Sequence, residues 1–533
     1  MRVFSLFFAV ALLCPSAPAL AAEARGAELV DRLLDRIVDQ EHRFIDRMRA
    51  YQPFMETYIQ AADDEKGAAP GAMRDHYLMG KVSVTDQGVD WQSFAESDGF
   101  QAREKFLFFK LPRKQFLPRG FAQMIAPDVF ELNRETYEFE YLRREFLGEV
   151  RALVFNVRPR EAEGGRFVGR IWVEDRDYRI VRFNGAYTQR SKEELYFHFD
   201  SWRRQVEPDL WVPSFVYVQD EDHAEQVGGR FRAQSRFWNY NPVRDGRLEE
   251  LTAILIGEND AAKDSSGAED VTPLESRREW VRQAEDNVLQ RLERTGLLAP
   301  RGPVDEVLET VANNLIATND LGFQVRCRVL LTTPLETFSV GQSIVISRGL
   351  IDVLPDEASL AMAISDELAH IALGHRTETM FAFSDFTIFD DAEILDRMRL
   401  DRSPEEIESA GVKALEMLER SPYGDKLSQA GLFLKALERR APHLPNLIRS
   451  NFGNSLASPE RLLRLAELAE QAPELEEERL EQIAALPLGS RVRLDLWTNQ
   501  IALKEAKPVE LRTAKDKMPF EVTPFMPYLT RLE

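Results

Sequence analysis

The sequence predicts an α+β chain of several domains, with an antiparallel, curved β-sheet domain ahead of a mostly helical domain that carries a small sheet. Three observations predict it. Residues 75–256 hold short apolar runs, such as Lys81–Val84, Arg151–Val157, Gly169–Val173 and Arg179–Phe183, separated by turn signals, the pattern of half-buried strands. Beyond about residue 275 the apolar residues recur at helical spacing instead. A chain of 533 residues exceeds what one core supports, so roughly three or four domains are expected.

Taken in order, Met1-Arg2 and the apolar run Val3–Leu13, followed by Ala19-Leu20-Ala21, read as a signal peptide over 1–21. The run is too short for the roughly 20 apolar residues of a membrane span, so an exported protein, periplasmic or extracellular, is expected. Residues 27–70 open with a helical pattern of Leu29, Leu33, Leu34, Ile37, Phe44, Ile45 and Met48, continuing to about Gln60. The sheet domain follows at 75–256. A polar linker is expected at 257–275, and the helical domain at 276–470, with strands near 324–332 and 343–347. An acidic stretch at 380–403 is expected as a covering loop, and a charged helix over 459–486 with an extended tail closes the chain at 471–533.

Composition narrows the partners. With 68 basic against 89 acidic residues the net charge is −21, which supplies no excess of Lys and Arg to replace the counterions of a nucleic acid. Of the two cysteines, Cys14 lies within the expected signal and Cys327 sits between apolar neighbours. The latter reads as a buried thiol in a strand.

The chemistry-bearing motif is Asp366-Glu367-Leu368-Ala369-His370, which differs by its first residue from H-E-x-x-H, the zinc-binding helix motif whose glutamate activates water. One helical turn apart, Asp366 and His370 share a face, with Glu367 beside it. The helix around them is apolar nearly all round, so these groups must be paired, metal-bound or facing a cleft. His375 lies five residues beyond His370, rotated by roughly 140° on a continuing helix, and is expected to cap the helix end.

Two family resemblances follow from these residues. The hairpin Gly169–Arg182 resembles a repeating feature of the periplasmic LolA/LolB-like lipoprotein-carrier sheets, which implies a concave apolar face sheltering acyl chains. Residues of about 275–470 resemble the HtpX/CAAX-prenyl-protease family of zinc metallopeptidases through Phe338–Leu350, Asp356–Ala361 and Asp366–His375. That resemblance implies a gluzincin-like domain in which Asp366, His370 and Glu408 hold zinc, Glu367 is the general base, and the Phe338–Gln342 edge strand holds a peptide. The sequence departs from the family at Asp366, at Ser409 and Gly411, and at Ser455.

Three readings stay open. The leading expectation is an exported pseudo-protease with an altered zinc site, binding proteins or peptides of the cell envelope. The alternatives are an active zinc-dependent metalloendopeptidase, and a lipid or lipoprotein carrier acting through the sheet.

Overall fold

The computed structural model describes residues 17–62, 73–94, 118–161, 163–188, 197–220, 231–240, 273–377, 398–476, 478–495, 499–504, 511–517, 520–523 and 529–531. The apolar run at 3–13, the linker up to residue 272 and the acidic stretch over 380–397 lie outside them.

The first described element is the helix α1 (Ala17–Met48), which turns Leu34, Ile37, Glu41, Phe44, Ile45 and Met48 inward. These positions follow the spacing of one helical face. The helix does not run on to residue 60 as the sequence pattern suggests. Pro53 interrupts it, and from there Met55, Thr57 and Ile59 alternate with Glu56, Tyr58 and Gln60, so Phe54–Ala62 is a strand, β1.

With it begin the strands of one ten-stranded antiparallel sheet: β2 (Met73–Thr85), β3 (Gly88–Ser93), β4 (Tyr137–Leu147), β5 (Val150–Pro159), β6 (Phe167–Glu174), β7 (Ile180–Tyr187), β8 (Phe199–Glu207), β9 (Leu210–Asp220) and β10 (Phe231–Trp238). Their order is β3-β2-β1-β10-β9-β8-β7-β6-β5-β4, so the chain's first strands join its last and the sheet is otherwise a meander. A short helix, α2 (Pro118–Gln123), enters between β3 and β4. Gly169 and Gly185 face one another in register on β6 and β7. A Cβ on either would stand 2.2 or 2.1 Å from the neighbouring strand's carbonyl oxygen, so only glycine permits the close approach there.

Alternation gives the sheet two faces. The inner face (Met55, Val82, Phe155, Phe167, Ile171, Phe183, Phe199, Val216, Phe237) packs against α1 and the segment around Ile125. Part of the outer face (Val154, Trp172, Val181, Trp202, Trp211) is covered by Leu529 of the C-terminal tail. Another part docks on the second half of the chain. There Glu56 accepts hydrogen bonds from the Thr333 amide (2.7 Å) and the Tyr77 hydroxyl (2.9 Å), and Asp75 accepts from the Leu447 amide (2.7 Å).

That second half is built on helices α3 (Pro273–Arg294), α4 (Pro303–Thr318), α5 (Arg348–Val353), α6 (Glu357–Ala372), α7 (Pro404–Glu419), α8 (Leu427–Arg440), α9 (Pro445–Ile448) and α10 (Ala466–Gln471). A four-stranded sheet of order β11-β13-β12-β14 joins them: β11 (Arg326–Leu330), β12 (Glu336–Val340), β13 (Ser343–Ser347) and β14 (Asn454–Ser455). Two short strands, β15 (Val492–Leu494) and β16 (Ile501–Leu503), pair in the tail. Cys327 is buried in β11.

Two expectations change here. β12 pairs with β13 on one side and β14 on the other, and all five of its residues are buried. β14 covers only Glu336 and Thr337. Beyond it the Ser339 carbonyl accepts from the Thr377 hydroxyl (2.6 Å) and Arg402 Nη2 (3.2 Å), so the strand is buried and its outer backbone is engaged. The long charged helix expected over 459–486 shrinks to α10, because Leu465 adopts a left-handed φ of +55° that turns Arg464 into the core.

Candidate functional site

The central helix α6 is started by Asp356, whose carboxylate accepts from the Ser359 amide at 2.8 Å. It delivers Asp366, Glu367 and His370 side by side, but into the interior: they are 1%, 1% and 0% exposed. Arg464 meets them there. Its Nε donates to Asp366 Oδ2 (2.5 Å), its Nη2 to Glu367 Oε1 (2.6 Å) and its Nη1 to Thr337 Oγ1 (2.7 Å). Thr337 Oγ1 in turn donates to Glu367 (2.7 Å).

The charges follow from these partners. Burial pushes Glu367 up, yet Arg464, His370 and the Thr337 hydrogen bond outweigh it and hold the carboxyl below the usual carboxylate range. For Asp366 burial prevails over Arg464, aided by the neighbouring Glu367 charge, and its pKa is raised. Burial lowers His370 to about 4, with Arg464, Arg402 and His375 acting the same way.

His375 stands elsewhere than a continuing helix would put it. Gly374, at φ +74°, reverses the chain, so the His375 amide donates to the His370 carbonyl (3.0 Å). The two imidazoles then meet Nδ1 to Nδ1 at 2.9 Å. Glu408 is not brought to the cluster at all. It lies exposed on α7, whose inward face is Ala410, Ala414, Leu415 and Leu418. Ser409, also exposed, bonds the carbonyls of Glu405 (3.0 Å) and Glu406 (3.1 Å).

These residues do not fit zinc. The guanidinium of Arg464 takes Asp366 Oδ2 and Glu367 Oε1, His375 takes Nδ1 of His370, and Glu408 faces solvent. Asp366 Oδ1 and His370 Nε2 are left buried without a hydrogen-bond partner, two donors where a zinc site needs at least three protein ligands. Among the described residues no group of three His, Cys, Asp or Glu is arranged to hold a metal ion. A general base for a substrate also needs a way in, and Glu367 is sealed. Sequence reasoning missed Arg464. An arginine preceding the buried Leu465 carries no pattern that would mark it.

A second buried ion pair lies in the first half. Arg203 of β8 grips Glu41 of α1 through two hydrogen bonds, Nη2 to Oε1 (2.5 Å) and Nη1 to Oε2 (2.7 Å), with both residues 1% exposed. The same guanidinium donates to the carbonyls of Ile180 and Ile125, both at 3.2 Å, and lies 3.8 Å above the Phe44 ring. It therefore ties α1, the sheet and the Ile125 segment together in one place. A cavity of about 130 Å³ adjoins it. The sequence signal was a lone glutamate on the apolar stripe of α1, four residues from Ile37.

No family model and no curated protein matches this chain. Solved structures do match over its sheet half. A domain of a candidate outer membrane lipoprotein-sorting protein from Vibrio parahaemolyticus is 9% identical, with 41% of this chain and 96% of that one covered, at a TM-score of 0.23. A DUF1329 family protein from Desulfovibrio piger is 12% identical over 41% and 95%, at 0.22. A LolA superfamily protein from Nitrosomonas europaea is 9% identical over 40% and 94%, at 0.20. The expectation of an HtpX-like metallopeptidase or pseudo-protease is corrected by the geometry: in this chain the motif expected to be catalytic is buried against Arg464 with no way in, and no metallopeptidase family model matches.

Proposed function

We propose that this protein is an exported carrier of lipid or lipoprotein that shelters an apolar chain against the inner face of its ten-stranded sheet. This is the same kind of role as that of the Vibrio lipoprotein-sorting protein, but its support is the geometry of the sheet. One observation carries it: among the described residues the apolar inner layer is closed by the helix α1 and by the short helix α2 with the segment after it to Ala126, and not by a second sheet. Among the described residues no helix is long and apolar enough to cross a membrane.

Magnitudes make the exchange feasible. α1 buries five apolar side chains, Leu34, Ile37, Phe44, Ile45 and Met48. At ~2 kcal/mol each they contribute on the order of 10 kcal/mol, an upper figure because the unfolded chain already hides some of this surface. An acyl chain of about sixteen carbons recovers ~12 kcal/mol at ~0.8 kcal/mol per buried CH₂. The two are near balance, so an acyl chain can insert between the helix and the sheet and be expelled again. Arg203 and Glu41 set the direction, because separating them leaves a buried charge and raises the cost of opening without a ligand.

The test is a titration of the purified protein with a fluorescent polyene fatty acid. Stoichiometric binding is expected, and it should be lost in Ile59→Glu, which puts a charge on the inner face. Absence of binding to the wild-type protein, or equal binding to the variant, overturns the reading.

A further inference from the structure

The cavity at the seam of α1 and β9 has an apolar floor and cationic walls. Phe44 and Leu210 form part of the floor and belong to the layer between helix and sheet. Four arginines, Arg43, Arg47, Arg179 and Arg203, reach the walls, against the carboxylates of Glu41 and Asp209. The charges do not cancel. Glu41 is taken by Arg203, and Asp209, with Glu207 just outside, is taken by Arg47. Arg43 and Arg179 have no carboxylate partner among the described residues. Arg179 Nη1 and Arg203 Nε are buried without a hydrogen-bond partner, and Arg203 as a whole is 1% exposed.

An unmade buried N–H costs roughly 1–3 kcal/mol, and the planar fork of a guanidinium matches an oxyanion with two parallel bonds. A pocket of positive excess in a chain of net charge −21 is therefore built for an anion. At about 130 Å³ it suits one small group, well below the roughly 300 Å³ or more of a drug-sized ligand site.

We propose that this pocket binds a single oxyanion, a phosphate or carboxylate, and that the oxyanion is the headgroup of an acyl ligand whose chain lies in the adjoining apolar layer. The second clause rests on the carrier reading; the first does not. Phe44 belongs to both sites, with Arg203 over its ring and a place in the apolar layer, so headgroup and chain would be bound in continuity.

The experiment is calorimetry on the full chain with three probes: dihexanoyl phosphatidic acid, dihexanoylglycerol, which has the same chains and no oxyanion, and inorganic phosphate. The wild-type protein should bind phosphatidic acid about tenfold more tightly than dihexanoylglycerol, a difference of ~1.4 kcal/mol. In Arg43→Gln/Arg179→Gln that preference should vanish while dihexanoylglycerol binding is unchanged. Both positions are exposed or half-buried, so the fold is not at risk. Equal wild-type affinity for the two lipids sinks the headgroup site and leaves the carrier reading standing. Phosphate binding without lipid binding upholds the oxyanion site and sinks the carrier reading, and no binding of any probe sinks both.

Discussion

Two arginines buried among carboxylates sit in the two halves of this molecule, and they do different work. Arg464 lies between two acids within one half, and each charge there is answered by a neighbour on the same core. Arg203 has one acid, and that acid is on a separate element, α1. It keeps a buried nitrogen without a partner beside a cavity. Burial and a perturbed charge do not by themselves make a site. Both clusters keep unmet buried atoms, Asp366 Oδ1 and His370 Nε2 in one and Arg203 Nε in the other. What sets Arg203 apart is the cavity beside it and a partner that can leave.

The comparison is broken most forcefully at Arg464. Arg464→Met strands Asp366 and Glu367 in a dry core, and a loss of roughly 3–5 kcal/mol in urea unfolding is expected. Adding Asp366→Asn and Glu367→Gln should restore most of it, since a neutral, filled core costs little. If the single variant keeps wild-type stability, Arg464 is not the lock described.

Glu41→Gln comes next. It weakens the grip on α1 by about 2–3 kcal/mol, and the loss should be local. Amide exchange should quicken over residues 30–48 and stay unchanged over α6. A uniform change across both halves would mean that α1 does not open alone.

The effect of pH sharpens the contrast. In the unfolded chain His370 takes up its proton near 6.5, in the fold only near 4. Between those values the unfolded state binds more protons, so the His370 contribution is full above about 6.5 and is lost as pH falls toward 4. Glu336 works the other way. Burial raises it to about 7 from 4.5, despite hydrogen bonds from Phe452, Gly453, Thr332 and Asn451, so its contribution falls as pH rises through that window. His370→Gln should therefore leave a stability that declines between pH 4.5 and 7, by on the order of 2 kcal/mol relative to wild type. Parallel pH curves for the two proteins would contradict the buried, neutral imidazole. The smallest effect belongs to Glu408→Ala, expected within about 0.5 kcal/mol because the side chain faces water.

Much of the fold was legible, because periodicity reports burial. The strands at Ser343–Ser347 and Arg151–Val157, and the change to helical spacing beyond about residue 275, were visible in the placing of Val, Ile and Leu. The end of α1 was missed although Pro53 marked it, since the apolar residues on either side of that proline fit both periods. At the site the motif misled. D-E-x-x-H placed three side chains correctly along one helix, but sequence spacing does not say what fills the space before them, and Arg464 is 97 residues beyond Glu367. His375 was misplaced because the helix was extended in thought past Gly374. Arg203 was invisible for the opposite reason: a lone arginine in a strand resembles any solvent-facing residue until Glu41 is brought against it.

The measurement closest to the central claim is photo-crosslinking with a fatty acid bearing a diazirine near its terminal methyl, followed by peptide mapping. Labels are expected on α1 residues such as Ile37 and Phe44 and on inner-face residues such as Phe167 and Phe183. Labelling confined to the outer face, or to exposed side chains such as Phe146, would contradict the account.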